Sequence, residues 1–268
     1  PHVSAFSSGF FVLHSPNNLY NKKGQYCMED GNITRARSEE INLRQKDIVG
    51  DYSDRIALIV GLGGIGNWIA LQAALLGIGT LVLFDDDKIE NSNLNRTLFK
   101  LSHVGEYKTQ AVKQLIHERR SDIIVVTNEE QFKAEDMPKF KGIDYFFDCT
   151  DSTRLKNGLA EQFQTLFKNP KSKQTDSGEN DNLLAAPRYA KLGYDGFNAT
   201  ICLDDFTTGK WGDDSSYTVT PSFFGTPSII SSLAIIEMVI KTKRISGTVN
   251  MNVRKILNRL KETPDPLN

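Results

Sequence analysis

The chain has 268 residues, with 32 basic and 33 acidic side chains and a formal net charge of −1. At this length the chain can bury a sizeable core, either in one large domain or in two small ones. The near-zero net charge argues against binding to nucleic acid or to an anionic membrane surface through bulk electrostatics. A hydrophobic content of 39% with 24% charged residues is typical of a globular protein.

The three cysteines, Cys27, Cys149 and Cys202, are far apart and include no CxxC pair. This spacing predicts neither a disulfide framework nor a structural zinc site, and it favours a reducing, cytoplasmic compartment. The longest apolar stretch, residues 229–240, contains Glu237 and is too short to span a bilayer. We therefore expect no membrane partner.

Residues 1–54 carry weak secondary-structure signals, and we interpret them as an N-terminal segment that makes docking or dimer contacts. Ser38 is a candidate helix N-cap, because its hydroxyl can accept a backbone N–H and Glu39 and Glu40 suit the first turn. Residues 55–167 carry much stronger signals. They alternate between short apolar runs and segments of helical periodicity, beginning at residue 56.

Two apolar runs, residues 56–60 and 80–84, predict buried parallel strands on either side of a helix that ends at Gly77. The three elements form a βαβ unit. The alternation continues with a helix at 109–119, a strand at 123–126, a strand at 144–147 and a helix at 152–167. Such alternation predicts an α/β fold with a parallel sheet, and residues 55–167 are interpreted as a Rossmann-like region.

The pattern changes after residue 167. Residues 168–182 carry six charges and no apolar side chain that could enter a core, which predicts an exposed loop. Residues 183–260 are interpreted as the C-terminal part of the same domain, and residues 261–268 as a tail. Within that part the sequence predicts strands at 188–192, 199–203 and 217–219 and a helix at 226–243. The predicted fold is a Rossmann-like mixed sheet, with a parallel half, a smaller and more antiparallel half, and helices on both faces.

A glycine loop joins the first predicted strand to the first helix, with glycines at Gly61, Gly63, Gly64 and Gly66. In this position the backbone N–H groups of the loop and the helix N-terminus face phosphates. Asp85 lies 19 residues after Gly66 and can accept hydrogen bonds from ribose hydroxyls. The pattern predicts a nucleotide site. The alternative is a glycine turn that serves only close packing of the helix on the sheet.

The residues that follow Asp85 favour ATP over NAD. A site that holds a triphosphate needs amide and guanidinium donors, for which Asn93 and Arg96 are candidates, and Lys108 adds a positive charge. Asp151 follows the fourth strand, where parallel sheets place ligands, and its carboxylate suits Mg²⁺ bound to phosphate oxygens. An NAD-dependent oxidoreductase is the alternative that uses only the glycine loop and Asp85.

Taken in order, these motifs resemble the ThiF/MoeB family of adenylyltransferases, which are related to ubiquitin-activating enzymes. The resemblance is carried by five motifs, Gly61-Leu-Gly-Gly-Ile-Gly66, Asp85-x-Asp87, Ser92-Asn-Leu-Asn-Arg96, Gly105-Glu-Tyr-Lys108 and Asp148-Cys-Thr-Asp-Ser152. It implies ATP and Mg²⁺ as cofactors.

The resemblance also implies roles for individual residues. Asp85, with Asp87 beside it, would hold the ribose side of ATP. The phosphates would be bound by Asn93, Arg96 and Lys108, and Mg²⁺ by Asp151. In the family an arginine from the N-terminal helix of a partner subunit reaches the triphosphate. Arg37 is our candidate for it, with Arg35 second, which implies a homodimer or a heterodimer.

The implied reaction is attack of a C-terminal carboxylate on the α-phosphorus of ATP, giving an acyl-adenylate and pyrophosphate. The carboxylate would belong to a ubiquitin-like protein or a peptide; a modified tRNA base is a further target class, which the overall charge disfavours.

Many members carry two zinc-binding CxxC pairs and a cysteine that takes the acyl group as a thioester. This chain has no CxxC pair, and residues 215–226 contain no cysteine. We therefore expect adenylation without zinc and without a thioester. The missing cysteine also motivates an alternative, a non-catalytic scaffold half of a heterodimeric activating complex.

Overall fold

The computed structural model describes residues 40–140, 142–167, 186–211, 221–241 and 245–256. Several predictions fall outside these residues: the Ser38 cap, Arg35 and Arg37, Cys27, the loop at 168–182, the strand at 217–219 and the tail at 261–268. Within the described residues the chain forms one seven-stranded sheet, in the order β3-β2-β1-β4-β5-β6-β7.

The parallel part of the sheet follows the predicted alternation. Its strands are β1 (Ile56–Val60), β2 (Thr80–Phe84), β3 (Ile124–Asn128) and β4 (Tyr145–Asp148), and its helices are α1 (Gly66–Leu76), α2 (Lys108–His117) and α3 (Thr153–Phe167). Every residue of β1 and β2 is buried, as expected for central strands that are covered on both faces. Helix α1 ends where the sequence predicts, because Gly77 adopts a left-handed conformation with φ of 99° and its N–H caps the last turn.

The remaining strands are β5 (Arg188–Asp195), β6 (Asn198–Leu203) and β7 (Gly247–Asn252). Strand β5 pairs parallel with β4, whereas β6 and β7 are antiparallel. The predicted helix at 226–243 is shorter than expected. It consists of α4 (Gly225–Ile235) and a π-helical turn (Ile236–Ile240), because Lys241 adopts an extended conformation.

The sheet is covered on both faces by apolar side chains. One core lies between the sheet and helices α1, α2 and α4. The other lies under α3 and a 3₁₀ segment (Ala134–Lys139), and it contains a group of rings in edge-on and tilted contact: Phe84, Phe132, Phe140, Phe146, Phe163 and Tyr189. The predicted mixed α/β sheet with helices on both faces is confirmed. Among the described residues, none of the helices has the length and apolar character that crossing a bilayer requires.

Candidate functional site

The glycine loop lies between β1 and α1, at the carboxyl end of the central strand. A Cβ at Gly66 would lie 1.8 Å from the Gly61 carbonyl oxygen, and one at Gly61, whose φ is +81°, would lie 3.1 Å from the Cys149 backbone. A Cβ at Gly63, in contrast, would meet nothing within 4 Å. Neighbouring atoms therefore approach the backbone closely at Gly61, Gly64 and Gly66, with the Tyr194 hydroxyl nearest at Gly64, whereas Gly63 borders open space. Close packing accounts for Gly61 and Gly66, and a role of the loop in phosphate binding stays a prediction.

Asp85 follows β2 directly and is buried beneath the glycine loop. Its carboxylate accepts hydrogen bonds from the Leu62 N–H at 2.5 Å and the Asp87 N–H at 2.9 Å. Desolvation raises the pKa of Asp85, and the Lys108 charge and the two N–H donors oppose that rise. The contact with Leu62 fixes the predicted ribose-binding residue against the loop.

Lys108 is the first residue of α2 and faces the same edge of the sheet. Its Nζ lies 2.6 Å from Asp87 Oδ2 and 3.7 Å from Asp85 Oδ1, and its side chain is only 10% exposed. The carboxylates of Asp85, Asp86 and Asp87 lie within 4.8 Å of one another, so the ammonium offsets part of a concentrated negative charge. The structure brings Lys108 together with both predicted aspartates.

Asn93 and Arg96 lie on the segment after β2. Asn93 ends a short 3₁₀ turn, and its side-chain oxygen accepts a hydrogen bond from the Glu90 N–H at 3.1 Å. The Arg96 guanidinium donates to the Ser92 carbonyl at 2.5 Å and to Asn95 Oδ1 at 3.1 Å. Trp68 on α1 holds this segment in place, because its Nε1 donates to the Arg96 carbonyl at 3.0 Å.

Asn67 is a residue that the sequence analysis missed. Its amide group donates to the carbonyls of Gly63 and Gly64, and its oxygen accepts the Leu98 N–H at 3.0 Å. The side chain is buried, so it joins the glycine loop to the segment that carries Arg96. The available signal was an amide side chain in the first turn of a helix whose other residues are mostly apolar.

Asp151 lies three residues after the end of β4. It is exposed and makes no hydrogen bond or ion pair with other described residues. The preceding turn is ordered by Asp148, whose Oδ1 accepts from the Thr150 N–H at 3.1 Å and from Thr150 Oγ1 at 2.8 Å. The approach of Gly61 to Cys149 places this turn beside the glycine loop.

Lys191 and Tyr189 on β5 complete the surroundings of Asp148, and the sequence analysis missed both. Lys191 Nζ lies 2.9 Å from Asp148 Oδ1, and both side chains are fully buried. The Tyr189 hydroxyl donates to Asp148 Oδ2 at 3.3 Å, and burial, with the Asp148 charge, raises the pKa of Tyr189 well above its ordinary value. A lysine inside an apolar strand was the signal for this group.

The two described cysteines lie in protected surroundings. Burial raises the pKa of the Cys149 thiol far above its ordinary range, and the neighbouring Asp148 charge acts in the same direction. Cys202 is buried in β6, with its sulfur 3.1 Å from Thr248 Oγ1. With its pKa raised, the Cys149 thiol forms little thiolate at neutral pH, and thiolate is the nucleophilic form.

The structure therefore gathers most of the predicted residues at one edge of the sheet, where β1, β2 and β4 end. Direct contacts link Asp85 to the glycine loop and Lys108 to Asp87 and Asp85. Asn93 and Arg96 are linked to the loop indirectly, through Trp68 and Asn67. The candidate arginine in trans, Arg37, lies outside the described residues.

Comparison with known proteins finds similar chains. A family model described as "ThiF family" matches residues 41–167. Ubiquitin-like modifier-activating enzyme 5 of Drosophila mojavensis is 34% identical over 133 residues, which are 44% of this chain and 33% of the relative. The sulfur carrier protein ThiS adenylyltransferase of Escherichia coli K12 is 37% identical over 108 residues, 40% of this chain and 43% of the relative. The chain thus spans less than half the length of these relatives.

Among solved structures, the crystal structure of E. coli MccB with MccA-N7isoASN superimposes with a TM-score of 0.55. The match covers 75% of this chain and 65% of MccB at 18% sequence identity. The likeness covers a larger share of the chain than the family match at 41–167, and at this identity it shows the fold alone.

Proposed function

Because residues 41–167 match a family model described as "ThiF family", we propose that this chain adenylates the C-terminal carboxylate of a ubiquitin-like protein or peptide with ATP. One observation carries the proposal: a glycine loop with open space at Gly63 lies against a buried carboxylate, Asp85, and beside the turn that presents Asp151. The two curated relatives are named as an activating enzyme and an adenylyltransferase, which supports the same activity here.

The nucleotide would bind across the carboxyl ends of β1 and β2. Asp85 already accepts two backbone N–H groups, and a carboxylate has about four lone-pair positions, so it can also accept the ribose hydroxyls. The phosphates would lie over Gly63, where the N-terminus of α1 lacks a side-chain cap. Its backbone N–H groups are then available to phosphate oxygens.

Positive charge would come from the segment after β2. The planar Arg96 guanidinium presents several N–H donors. The Asn93 side-chain oxygen accepts the Glu90 backbone N–H, so its amide nitrogen can donate to a phosphate oxygen. Lys108 would exchange its contact with the exposed Asp87 for a phosphate oxygen. These donors stabilise charge that develops on the departing pyrophosphate.

We assign Mg²⁺ binding to Asp151. The exposed carboxylate is a hard oxygen ligand with no partner in the described part of the chain, which fits an ion that is held through one or two carboxylates and phosphate oxygens. When bound, Mg²⁺ would neutralise phosphate charge. Asp151 itself contributes a fixed negative charge beside the glycine loop.

The substrate carboxylate is ionised at neutral pH and needs no general base. The residues of the site therefore contribute positioning and charge neutralisation. The product is an acyl-adenylate, formed by a new bond between a carboxylate oxygen and the α-phosphorus as pyrophosphate leaves. We propose that no thioester follows, and two observations support this: the pKa of the half-buried Cys149 thiol is raised, and Cys202 is buried.

A dimer, with Arg37 of one subunit at the site of the other, belongs to the same proposal. The names of the relatives do not decide which substrate this chain uses. A ubiquitin-like protein and a short peptide are therefore both candidates.

ATP–pyrophosphate exchange tests the function. We would measure exchange with a panel of ubiquitin-like proteins and peptides, and with the same peptides amidated at the C-terminus as matched controls. Exchange with one free carboxylate and none with its amide is the expected result. Tight NAD binding with no ATP binding would favour the oxidoreductase. ATP binding without exchange for any carboxylate would favour the scaffold half.

A further inference from the structure

A buried lysine lies directly behind the turn that carries Asp151. Lys191 on β5 is the register partner of Asp148 on β4, and both side chains have no exposed surface. A charge in such a position is costly unless it is fully paired. The sheet pairing itself would accept an apolar residue here, so the lysine calls for an explanation of its own.

The Lys191 ammonium uses its three donors on the turn. Nζ lies 2.9 Å from Asp148 Oδ1, 2.7 Å from the Thr150 carbonyl and 3.1 Å from Thr150 Oγ1. The Thr150 carbonyl belongs to the peptide bond that leads into Asp151. The ammonium therefore holds the backbone at the point from which the Asp151 side chain projects.

A tryptophan closes the other side of this group. The Trp211 ring centroid lies 5.2 Å from Lys191 Nζ. Trp211 is held in turn by the first residue of α3, because Thr153 Oγ1 donates to the Trp211 carbonyl at 2.7 Å and accepts the Trp211 N–H at 3.0 Å. Water is thereby kept from the ammonium, and its bonds to the turn are strengthened by the low dielectric.

We infer that Lys191 is a positioning residue for the proposed Mg²⁺ ligand, acting by fixing the Asp148–Asp151 turn in a geometry that presents Asp151 to the nucleotide phosphates. This inference rests on the proposed function. Because its side chain is fully buried, Lys191 would touch neither nucleotide nor metal. Lys191 should therefore affect how strongly Mg²⁺ tightens the binding of ATP, because only this increase in affinity depends on where the Asp151 carboxylate points.

The test compares binding of a non-hydrolysable ATP analogue with Mg²⁺ and with EDTA, by calorimetry on the full chain. The main variant is Asp148→Asn combined with Lys191→Met, which removes both charges together and leaves no unpaired buried ion. The control is Arg188→Met with Asp204→Asn, which removes the ion pair, at 3.0 Å, between the first residue of β5 and the residue that follows β6.

We expect Mg²⁺ to tighten binding in the wild type and in the control. In the main variant the Mg²⁺ effect should shrink by about 10-fold or more, with affinity in EDTA nearly unchanged, as for other groups that orient metal ligands. If Lys191 only stabilises the fold, fewer molecules bind but the ratio of the two dissociation constants is unchanged, and that result overturns the inference.

Thr150→Val provides a second variant if the double substitution prevents folding. It removes the Oγ1 contacts with Asp148 and Lys191 and preserves the shape of the side chain. A smaller loss of the Mg²⁺ effect supports the inference, and an unchanged ratio overturns it. A wild type that binds no nucleotide refutes the proposed function, whereas a wild type that binds nucleotide without any Mg²⁺ effect refutes the role of Asp151 and the inference with it.

Discussion

Substitution of Asp151 should lower activity strongly and leave stability almost unchanged. It is exposed and has no partner among the described residues, so Asp151→Asn should change the free energy of unfolding by less than about 0.5 kcal/mol. Substrate-dependent pyrophosphate exchange should fall by about 100-fold or more, as when one charge-stabilising group is lost. Thermal unfolding and exchange rates on the same preparation check both parts. Full exchange in this variant would remove Asp151 from the site.

Asp85 makes a pH-dependent contribution to stability whose sign follows from its burial. Desolvation raises the pKa of Asp85 in the folded state, so the folded chain holds this proton to higher pH than the unfolded chain does. The favourable contribution is present at low pH and is lost as pH rises through the raised pKa. Relative to Asp85→Asn, the wild type should lose unfolding free energy as the pH rises from about 4, the ordinary pKa of an aspartate, through the raised pKa of Asp85 in the folded state. Urea titrations at several pH values measure this, and an opposite slope would contradict the assigned environment.

The sequence predicted some residues of this site and missed others. Asp85 and Lys108 follow from motif order, and the structure places them in contact at 3.7 Å. Asn67 and Lys191 were missed because their roles depend on partners 31 and 43 positions away in the chain. A single polar side chain in an apolar element indicates that it has a partner, but only the three-dimensional packing identifies that partner.

The loop–helix element β1–α1 offers a matched pair of substitutions. Gly66→Ala would place a Cβ 1.8 Å from the Gly61 carbonyl oxygen and should destabilise the chain by about 3 kcal/mol or more. Gly63→Ala meets nothing within 4 Å, so stability should stay within about 0.5 kcal/mol of the wild type.

The same Gly63→Ala variant should nevertheless bind ATP more weakly, because the added methyl group enters the space assigned to phosphates. Chemical denaturation and nucleotide titration measure the two effects separately. If Gly63→Ala bound ATP as tightly as the wild type, the phosphates would have to lie elsewhere.

Elements of the parallel half were predicted almost to the residue, since their buried strands are continuous apolar runs. Strand β7 was missed because its sequence, Gly247-Thr-Val-Asn-Met-Asn252, is polar and largely exposed at the sheet edge. The strand exists through its antiparallel pairing with β6, which is a tertiary effect. The end of the last helix was likewise misplaced, because no glycine or proline marks the extended Lys241.

The molecule as a whole completes its site with residues from both halves of the sheet. Strand β5 pairs with β4 and supplies Lys191 and Tyr189 to the buried Asp148. Ser231 on α4 donates to the Ile65 carbonyl in the glycine loop at 3.3 Å. The segment that matches the family model, residues 41–167, lacks all three of these side chains.

We therefore expect the fragment 41–167 to lose cooperative folding when it is produced alone. It would expose the edge of β4 and leave the Asp148 carboxylate without its ammonium partner. Thermal denaturation followed by circular dichroism, with the full chain as reference, measures this. A sharp transition of the fragment at the temperature of the full chain would show that the antiparallel half is dispensable for folding.

The most direct test of the central claim follows the oxygen atoms of the substrate. A peptide or ubiquitin-like protein that supports exchange would be labelled with ¹⁸O in its C-terminal carboxylate and incubated with Mg²⁺-ATP. The acyl-adenylate would then be cleaved at its carbonyl carbon. Mass spectrometry would measure the ¹⁸O content of the AMP that is released. If the carboxylate attacks the α-phosphorus, the AMP carries one ¹⁸O atom from the substrate. AMP that carries no substrate oxygen would contradict adenylation of the carboxylate.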